Sequence, residues 1–222
     1  MSSYITAIQP LMLKLPRVKF CSLVFKQCWN CDENLSLTSA FCNKCNKLQP
    51  LNPDYTHFEV LGIERNFSID TVALVKTYRN LQVRFHPDRY STKSEQEQQF
   101  AVGHSSAINK AYRCLLHPVE RALYLLELAD QPLHEGQLDM EPAFLMEIME
   151  VNEELAEAED KETVQAIGQR NQEILKRLLR DADAAFSAGN TREARSVVAK
   201  IKYYNNVYEK VREYEREHGI LD

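Results

Sequence analysis

The chain has 222 residues, with 27 Lys or Arg against 32 Asp or Glu, so its formal net charge is −5. This acidic balance argues against general nucleic-acid binding, and no apolar run reaches the roughly 18–20 residues that a bilayer span needs. Only 6 glycines, together with long apolar patterns of helical period, predict a mainly α-helical protein of two domains with an extension.

Residues 1–27 differ in composition from the rest of the chain. They contain Lys14, Arg17, Lys19 and Lys26 but no acidic residue. A basic, acid-free segment with interspersed Leu, Val and Phe is typical of a mitochondrial targeting sequence. We therefore expect the mitochondrial matrix as the location, with the cytoplasm as a second one. The alternative is a disordered basic tail on a cytoplasmic protein.

Two C-x-x-C pairs follow, Cys28/Cys31 and Cys42/Cys45. Each pair can aim two thiolates at one point, and two pairs complete a tetrahedral four-sulfur site. Residues 28–50 can bury little apolar surface, so we expect one Zn²⁺ per chain to stabilise a small rubredoxin-like module. Two disulfides, an iron–sulfur cluster and a redox dithiol are the alternatives. A reducing compartment disfavours the disulfides, and the absence of a thioredoxin-like βαβ pattern disfavours the redox dithiol.

The segment 54–128 contains two helical patterns on either side of His86-Pro87-Asp88, and then a connecting helix. The apolar positions are Leu74, Tyr78, Leu81 and Phe85 before the tripeptide, and Phe100, Ile108, Ala111, Tyr112 and Leu115 after it. Ser68 is the expected N-cap of the first helix. Because a proline cannot continue a helix, the tripeptide is expected in an exposed turn between two antiparallel helices.

This pattern resembles the J-domain of DnaJ-type co-chaperones over roughly residues 54–116. The resemblance also rests on Asp54-Tyr55-x-x-Phe58-x-x-Leu61-Gly62-Ile63 and on Ile108-Asn109-Lys110-Ala111-Tyr112. It implies that His86, Pro87 and Asp88 dock on a DnaK/Hsp70-type chaperone and accelerate its ATP hydrolysis. No nucleophile or second activating group is evident near His86, so we do not expect an enzyme.

The helix before the tripeptide carries a thin basic face. Lys76 and Arg79 lie opposite its apolar positions and would steer an acidic partner surface. An ordinary solvated helix face is the alternative interpretation of two cations. Val75 and Asn80 occupy positions where many J-domains carry further cations, which suggests a dedicated partner or weaker docking.

Three further amphipathic helices are predicted over 141–159, 161–187 and 191–217. Gly189-Asn190 ends the second, and Thr191 is the expected cap of the third. Short connections between long helices predict an antiparallel three-helix bundle over 140–218. The predicted core positions are Phe144, Ile148, Val151 and Leu155 on the first bundle helix, and Val197, Ile201, Tyr204, Tyr208 and Val211 on the third.

The first bundle helix has a wider apolar arc than packing within a bundle requires. Leu145, Met146 and Met149 lie beside its core stripe. Glu150 and Glu153 fringe this patch with charge, and Met is adaptable at binding surfaces. Either this flank binds a partner, or the helix is buried on two sides.

A second resemblance covers the chain from about residue 54 to its C-terminus. Ala143-Phe144-Leu145-Met146-Glu147, Glu153-Glu154-Leu155 and Arg121-Ala122-x-Tyr124-Leu125-Leu126 are similar to the HscB family of iron–sulfur co-chaperones. The upstream cysteine quartet resembles the eukaryotic mitochondrial members. The resemblance implies that the C-terminal bundle binds an IscU-type scaffold and delivers it to the chaperone. The implied scaffold-facing residues are Leu145, Met146, Met149, Glu150, Glu153 and Tyr203. Asn152 replaces an arginine of the bacterial pattern, which puts a charge contact there in doubt.

The expected function is therefore an adaptor in iron–sulfur cluster biogenesis, with no nucleic-acid or membrane partner and with a homodimer left open. A zinc-binding general J-domain co-chaperone for unfolded clients is the alternative. The missing Gly/Phe-rich linker disfavours that alternative. A thiol oxidoreductase would require a reactive cysteine of low pKa.

Overall fold

The computed structural model describes residues 25–133, 140–158 and 160–218, in one unit that ends at Gln49 and another that begins at Pro50. The first unit contains an antiparallel hairpin of β1 (Phe25–Gln27) and β2 (Asn34–Ser36). Since β1 occupies the last three residues of the predicted targeting segment, the folded unit begins no later than Phe25. The rest of that segment lies outside the described residues.

The second unit is helical, which confirms the predicted fold class. Its helices are α1 (His57–Leu61), α2 (Thr71–Phe85), α3 (Glu95–Leu116), α4 (Pro118–Glu127), α5 (Pro142–Glu157), α6 (Lys161–Ser187) and α7 (Thr191–Glu217). A 3₁₀ turn at Pro87–Tyr90 lies between α2 and α3. None of the helices in the described ranges combines the length and the hydropathy that crossing a membrane requires.

The start of α2 is set by Asp70. Its carboxylate accepts the backbone N–H groups of Val72 at 2.9 Å and of Ala73 at 3.1 Å. Ser68 was predicted as the cap, and that prediction is wrong. An aspartate at the N-cap satisfies otherwise unpaired N–H groups and also places a negative charge at the positive end of the helix dipole.

Helices α2 and α3 are held together by an apolar core and a polar network. The buried residues around this core are Phe58, Leu61, Leu74, Phe85, Ala101, Ile108, Ala111 and Leu115. The Tyr78 hydroxyl and the Gln82 side-chain amide both donate to Asn109 Oδ1 at 2.9 Å. The Tyr78 ring stacks on Tyr112 with centroids 4.0 Å apart. Directional bonds therefore fix the register of the two helices.

A buried arginine connects α4 to α3 and to the loop between α1 and α2. Arg121 is 6% exposed, and its Nη1 donates to the Leu115 carbonyl at 2.6 Å. Its guanidinium lies over the Phe67 ring at 5.2 Å, and Phe67 in turn stacks on Phe186 of α6 at 5.3 Å. This chain of contacts ties the first four helices to the C-terminal bundle.

The C-terminal bundle is built on the antiparallel pair α6 and α7. Gly189, with φ of 67°, reverses the chain, and the Asn190 side chain caps α7 by accepting the N–H of Glu193 at 3.3 Å. The cap is therefore Asn190, one residue before the predicted Thr191.

The core of the C-terminal bundle lies between α6 and α7. The buried side chains of the bundle include Val164, Ile167, Leu178, Ala182 and Ala185 of α6 and Ala194, Val198, Ile201, Tyr204, Val207 and Val211 of α7.

The predicted core stripe of α7 is correct in part. Ile201, Tyr204 and Val211 are buried, whereas Val197 and Tyr208 are only half-buried. Val198 and Val207 are buried in addition to the correct positions. Because α7 packs against α4 and α5 as well as α6, its buried face is broader than one stripe.

Replacement of Asp70 by Ala tests the assignment of the α2 cap. Loss of the two capping hydrogen bonds should destabilise the protein by about 1 kcal/mol. The matched control is Ser68→Ala, which removes an exposed side chain outside the cap and should change stability by less than about 0.5 kcal/mol. Urea unfolding followed by helical circular dichroism measures both. Equal effects of the two variants would contradict the assignment.

Candidate functional site

Four cysteine thiols converge in the first unit. The Sγ atoms of Cys28, Cys31, Cys42 and Cys45 all lie within 4.8 Å of one another. Cys28 Sγ lies 3.6 Å from Cys45 Sγ, and Cys31 Sγ lies 3.6 Å from Cys42 Sγ. These separations far exceed the ~2.05 Å of a disulfide. They are close to the ~3.8 Å edge of a tetrahedron with metal–sulfur bonds of ~2.3 Å.

The two C-x-x-C pairs adopt the same turn. The Cys28 carbonyl accepts the N–H of Asp32 at 3.0 Å, and the Cys42 carbonyl accepts the N–H of Asn46 at 2.9 Å. Asp32 and Asn46 both have positive φ, at 57° and 53°. Each turn directs its two thiols to a common point. An iron–sulfur cluster would place several irons and sulfides among the thiolates and hold them further apart, so this geometry fits a single ion better.

The electrostatics of the four thiols also fit a bound cation. Burial opposes ionisation of Cys28, but hydrogen bonds from backbone N–H groups and neighbouring thiols lower its pKa to about 6. The buried Gln49 side chain also donates to Cys28 Sγ, at 3.4 Å. The N–H of Glu33 favours a thiolate at Cys31, yet burial and the other three thiols raise the pKa of Cys31. Four thiolates therefore need a positive ion to coexist.

The tripeptide lies in an exposed turn, as predicted. Helix α2 ends at Phe85, and Pro87 begins the 3₁₀ turn. The His86 and Asp88 side chains are 53% and 88% exposed, with His86 Nδ1 3.5 Å from Asp88 Oδ2. Both side chains can therefore reach a partner without any rearrangement of the core.

The exposed face of α2 leads directly to this turn. Lys76 and Arg79 are exposed and point away from the core, as expected. Val72 and Val83 are 79% and 64% exposed. At spacings of four, three and four, these four residues follow one line along the helix. The two valines were not predicted as part of this face, although their spacing from the cations was readable in the sequence.

A groove lies along the same face of α2. It has a volume of about 500 Å³ and is lined by Thr71, Val72, Val75, Lys76, Arg79, Asn80 and Leu116. Val75 therefore contributes apolar surface to this groove. This face of α2 therefore carries few cations, and an apolar groove lies beside them.

The predicted flank of α5 is exposed. Leu145, Met146 and Met149 are 36%, 61% and 60% exposed, whereas Phe144 and Ile148 are 8% and 7% exposed. The stripe that contains Phe144 and Ile148 therefore packs against the bundle, and the adjoining apolar side chains remain on the surface. Glu150 and Glu153 are exposed on the same helix.

Tyr203 of α7 lies next to the start of α5. Its ring meets the edge of the Phe144 ring with centroids 5.5 Å apart, and it is half-buried. Tyr203 therefore contacts Phe144, the residue before Leu145 in the chain, and through this buried ring it also packs against the core.

Polar contacts hold α5 on the other two bundle helices. The Tyr204 hydroxyl donates to Glu147, and Arg170 pairs with Glu154. Burial, and then the bond to Glu147, raises the pKa of Tyr204 above its usual range. Lys210 Nζ donates to Asn152 Oδ1 at 2.6 Å. Asn152 thus contacts α7. The contacts of Glu147, Asn152 and Glu154 were not predicted from the sequence, because they join residues far apart in the chain.

Two family models match the second unit. Residues 140–212 match the HSCB C-terminal oligomerisation domain, and residues 56–124 match the DnaJ domain. The human iron–sulfur cluster co-chaperone protein HscB is 34% identical over 192 residues, covering 85% of this chain and 82% of the human one.

Solved structures agree with these matches. The crystal structure of human co-chaperone protein HscB matches with a TM-score of 0.82 at 34% identity, over 86% of this chain and 98% of that one. Chaperone HscB from Vibrio cholerae matches with a TM-score of 0.66 at 30% identity, over 73% of this chain and 99% of that one. The chain therefore belongs to the HscB family of iron–sulfur cluster co-chaperones and combines a J-domain with an HscB C-terminal domain.

Proposed function

We propose that the protein is an adaptor that binds an IscU-type scaffold and a DnaK/Hsp70-type chaperone at the same time. The observation that carries this proposal is the exposed His86-Pro87-Asp88 turn at the end of α2, in the same unit as the exposed flank of α5. Simultaneous binding raises the effective concentration of the scaffold at the chaperone. The turn then stimulates ATP hydrolysis in the chaperone and promotes cluster transfer, and the cluster is cargo.

The chaperone contacts the turn and the adjoining face of α2. Lys76 and Arg79 attract an acidic surface, and charge complementarity increases the rate of encounter. Beside these two cations, the exposed valines and the groove beside Val75 supply apolar contact. This combination favours a dedicated partner with an acidic centre and apolar flanks.

The scaffold contacts the α5 patch, which consists of Leu145, Met146, Met149, Glu150, Glu153 and Tyr203. Met146 and Met149 lie at its exposed centre, where unbranched side chains adapt to the partner surface. The two glutamates supply a polar rim, so we expect the facing scaffold surface to be apolar with cations around it.

The four-thiol site holds one Zn²⁺. Cys28, Cys31, Cys42 and Cys45 provide the four sulfur ligands that a structural zinc site requires, and no ligand position remains open for chemistry. Bound zinc neutralises the thiolates and replaces the apolar core that so short a unit lacks. The ion has a structural role and takes no part in ATP hydrolysis.

The N-terminal composition bears on location, and the C-terminal family model bears on assembly. The basic, acid-free composition of residues 1–27 supports import into the mitochondrial matrix, with the cytoplasm as a second location. The description of the C-terminal family model as an oligomerisation domain supports a homodimer. A general co-chaperone for unfolded clients is not favoured, because residues 140–212 match the C-terminal domain of the HscB family.

Replacement of His86 by Gln should abolish stimulation of the chaperone ATPase, because the turn is the docking element. Circular dichroism and scaffold binding should remain unchanged, since the side chain is exposed. ATPase rates with increasing co-chaperone measure the effect. Wild-type stimulation by the variant would contradict the J-domain role, and lost helicity would indicate a structural histidine.

Zinc removal should unfold the first unit and leave the helical unit intact. Elemental analysis should find one zinc per chain, and chelation should leave the helical circular dichroism nearly unchanged. Cys42→Ser should lose the metal, whereas the matched control Cys114→Ser, which lies outside the site, should retain it. Iron with sulfide, or a metal-free protein with two disulfides, would contradict the proposal.

Replacement of Met146 and Met149 by Ala should weaken scaffold binding by about thirtyfold or more, because a central interface anchor contributes about 2 kcal/mol. The melting temperature should hardly change, since both side chains are exposed. Stimulation without scaffold should persist, while the additional stimulation by scaffold is lost.

The matched control for the α5 patch is Val102→Ala, which truncates another exposed apolar side chain on α3. Isothermal titration calorimetry with the scaffold should give it wild-type affinity. Normal scaffold binding by the double methionine variant would place the interface elsewhere on the protein. A large loss of stability would show instead that the two methionines belong to the core.

A further inference from the structure

The last turn of α2 loses backbone hydrogen bonds where the chain reaches Pro87. In an α-helix, each carbonyl accepts from the N–H four residues later. The Val83 carbonyl would need the N–H of residue 87, which a proline does not have. The Arg84 carbonyl would need the N–H of Asp88, which donates to His86 Nδ1 at 3.4 Å instead. Two adjacent carbonyls at the base of the turn therefore need other donors.

The two residues after the tripeptide supply these donors. Arg89 Nη1 donates to the Val83 carbonyl at 3.0 Å, and the Tyr90 hydroxyl donates to the Arg84 carbonyl at 3.2 Å. Tyr90 is only 7% exposed, so its ring is anchored beneath the turn. Both hydrogen bonds join residues after the tripeptide to the last turn of α2, so each of them closes a loop that contains His86-Pro87-Asp88.

We propose that Arg89 and Tyr90 are positioning residues, which hold His86-Pro87-Asp88 in its docking conformation by replacing the hydrogen bonds that Pro87 removes from α2. Tyr90 acts without contacting the chaperone, because it is buried. When the turn is loosened, a smaller fraction of molecules has the docking conformation, and the apparent Kd rises in inverse proportion to that fraction. This inference rests on the proposed docking of the turn on a DnaK/Hsp70-type chaperone.

The test measures chaperone ATPase rates against the concentration of the full-length, zinc-loaded protein. Tyr90→Phe deletes only the donating hydroxyl. The concentration for half-maximal stimulation should rise roughly three- to tenfold, as expected for one lost hydrogen bond, while stimulation at saturation stays unchanged. Arg89→Met should behave in the same way, and Arg89→Lys, which keeps a donor, should lie closer to wild type. Amide hydrogen exchange over residues 86–90 should accelerate in the first two variants.

The matched control is Tyr124→Phe, which deletes a hydroxyl that accepts the N–H of His57 at 3.0 Å. Tyr124 follows the C-terminal end of α3, whereas the turn precedes its N-terminal end. The helix has 22 residues and is about 33 Å long. This control should leave the stimulation curve unchanged.

Two results would overturn the inference while leaving the docking proposal intact. Wild-type curves for both Tyr90→Phe and Arg89→Met, alongside an inactive His86→Gln, would show that the turn needs no such support. Reduced maximal stimulation by the variants at an unchanged half-maximal concentration would indicate direct action on the chaperone. If the wild-type protein itself fails to stimulate the ATPase, the proposed function fails and this inference fails with it.

Discussion

The missing N–H of Pro87 is the constraint on which the J-domain depends. It ends α2, so the chain turns and leaves His86 and Asp88 exposed between two long helices. The same missing donor would leave the end of α2 poorly bonded, and side chains that follow the tripeptide compensate for it. Pro87 therefore exposes the tripeptide, and the hydrogen bonds that compensate for its missing N–H keep the tripeptide ordered. A polar loop without these bonds would expose the same residues in many conformations.

The C-terminal bundle differs from the J-domain in that it keeps large apolar side chains of α5 on its surface. Helices α6 and α7 approach each other closely at Gly168, where a Cβ atom would lie 3.0 Å from Val211 Cγ1. This pair forms a platform that binds α5 through Phe144 and Ile148 and through polar contacts such as Lys210 to Asn152. Since the platform supplies the stability, the methionines of α5 need not be buried.

The sequence predicted those features that depend on local chemistry. Helix existence, the exposed turn and the cysteine quartet are confirmed, because proline geometry, helical period and C-x-x-C spacing act over a few residues. Both predicted caps were wrong by one or two residues, since Asp70 and Asn190 compete with nearby hydroxyl residues that can cap equally well in isolation. The buried face of α7 was only partly predicted, because it depends on contacts with three other helices.

The two units are stabilised by different physics, and this difference explains why the cysteine site was predictable and the polar contacts that hold α5 on α6 and α7 were not. In the first unit, four thiols, the repeated turn and Gln49 lie within about twenty residues of one another, so the short sequence contains nearly every contact. Charge neutralisation by one ion can replace a core there. In the helical unit, Tyr204 meets Glu147 across 57 positions and Arg121 reaches Phe67 across a similar distance in the chain. Such pairs are determined only once the helices have packed, so these cross-helix contacts become visible only in the folded structure, whereas the exposed flank of α5 was predicted from its helical period.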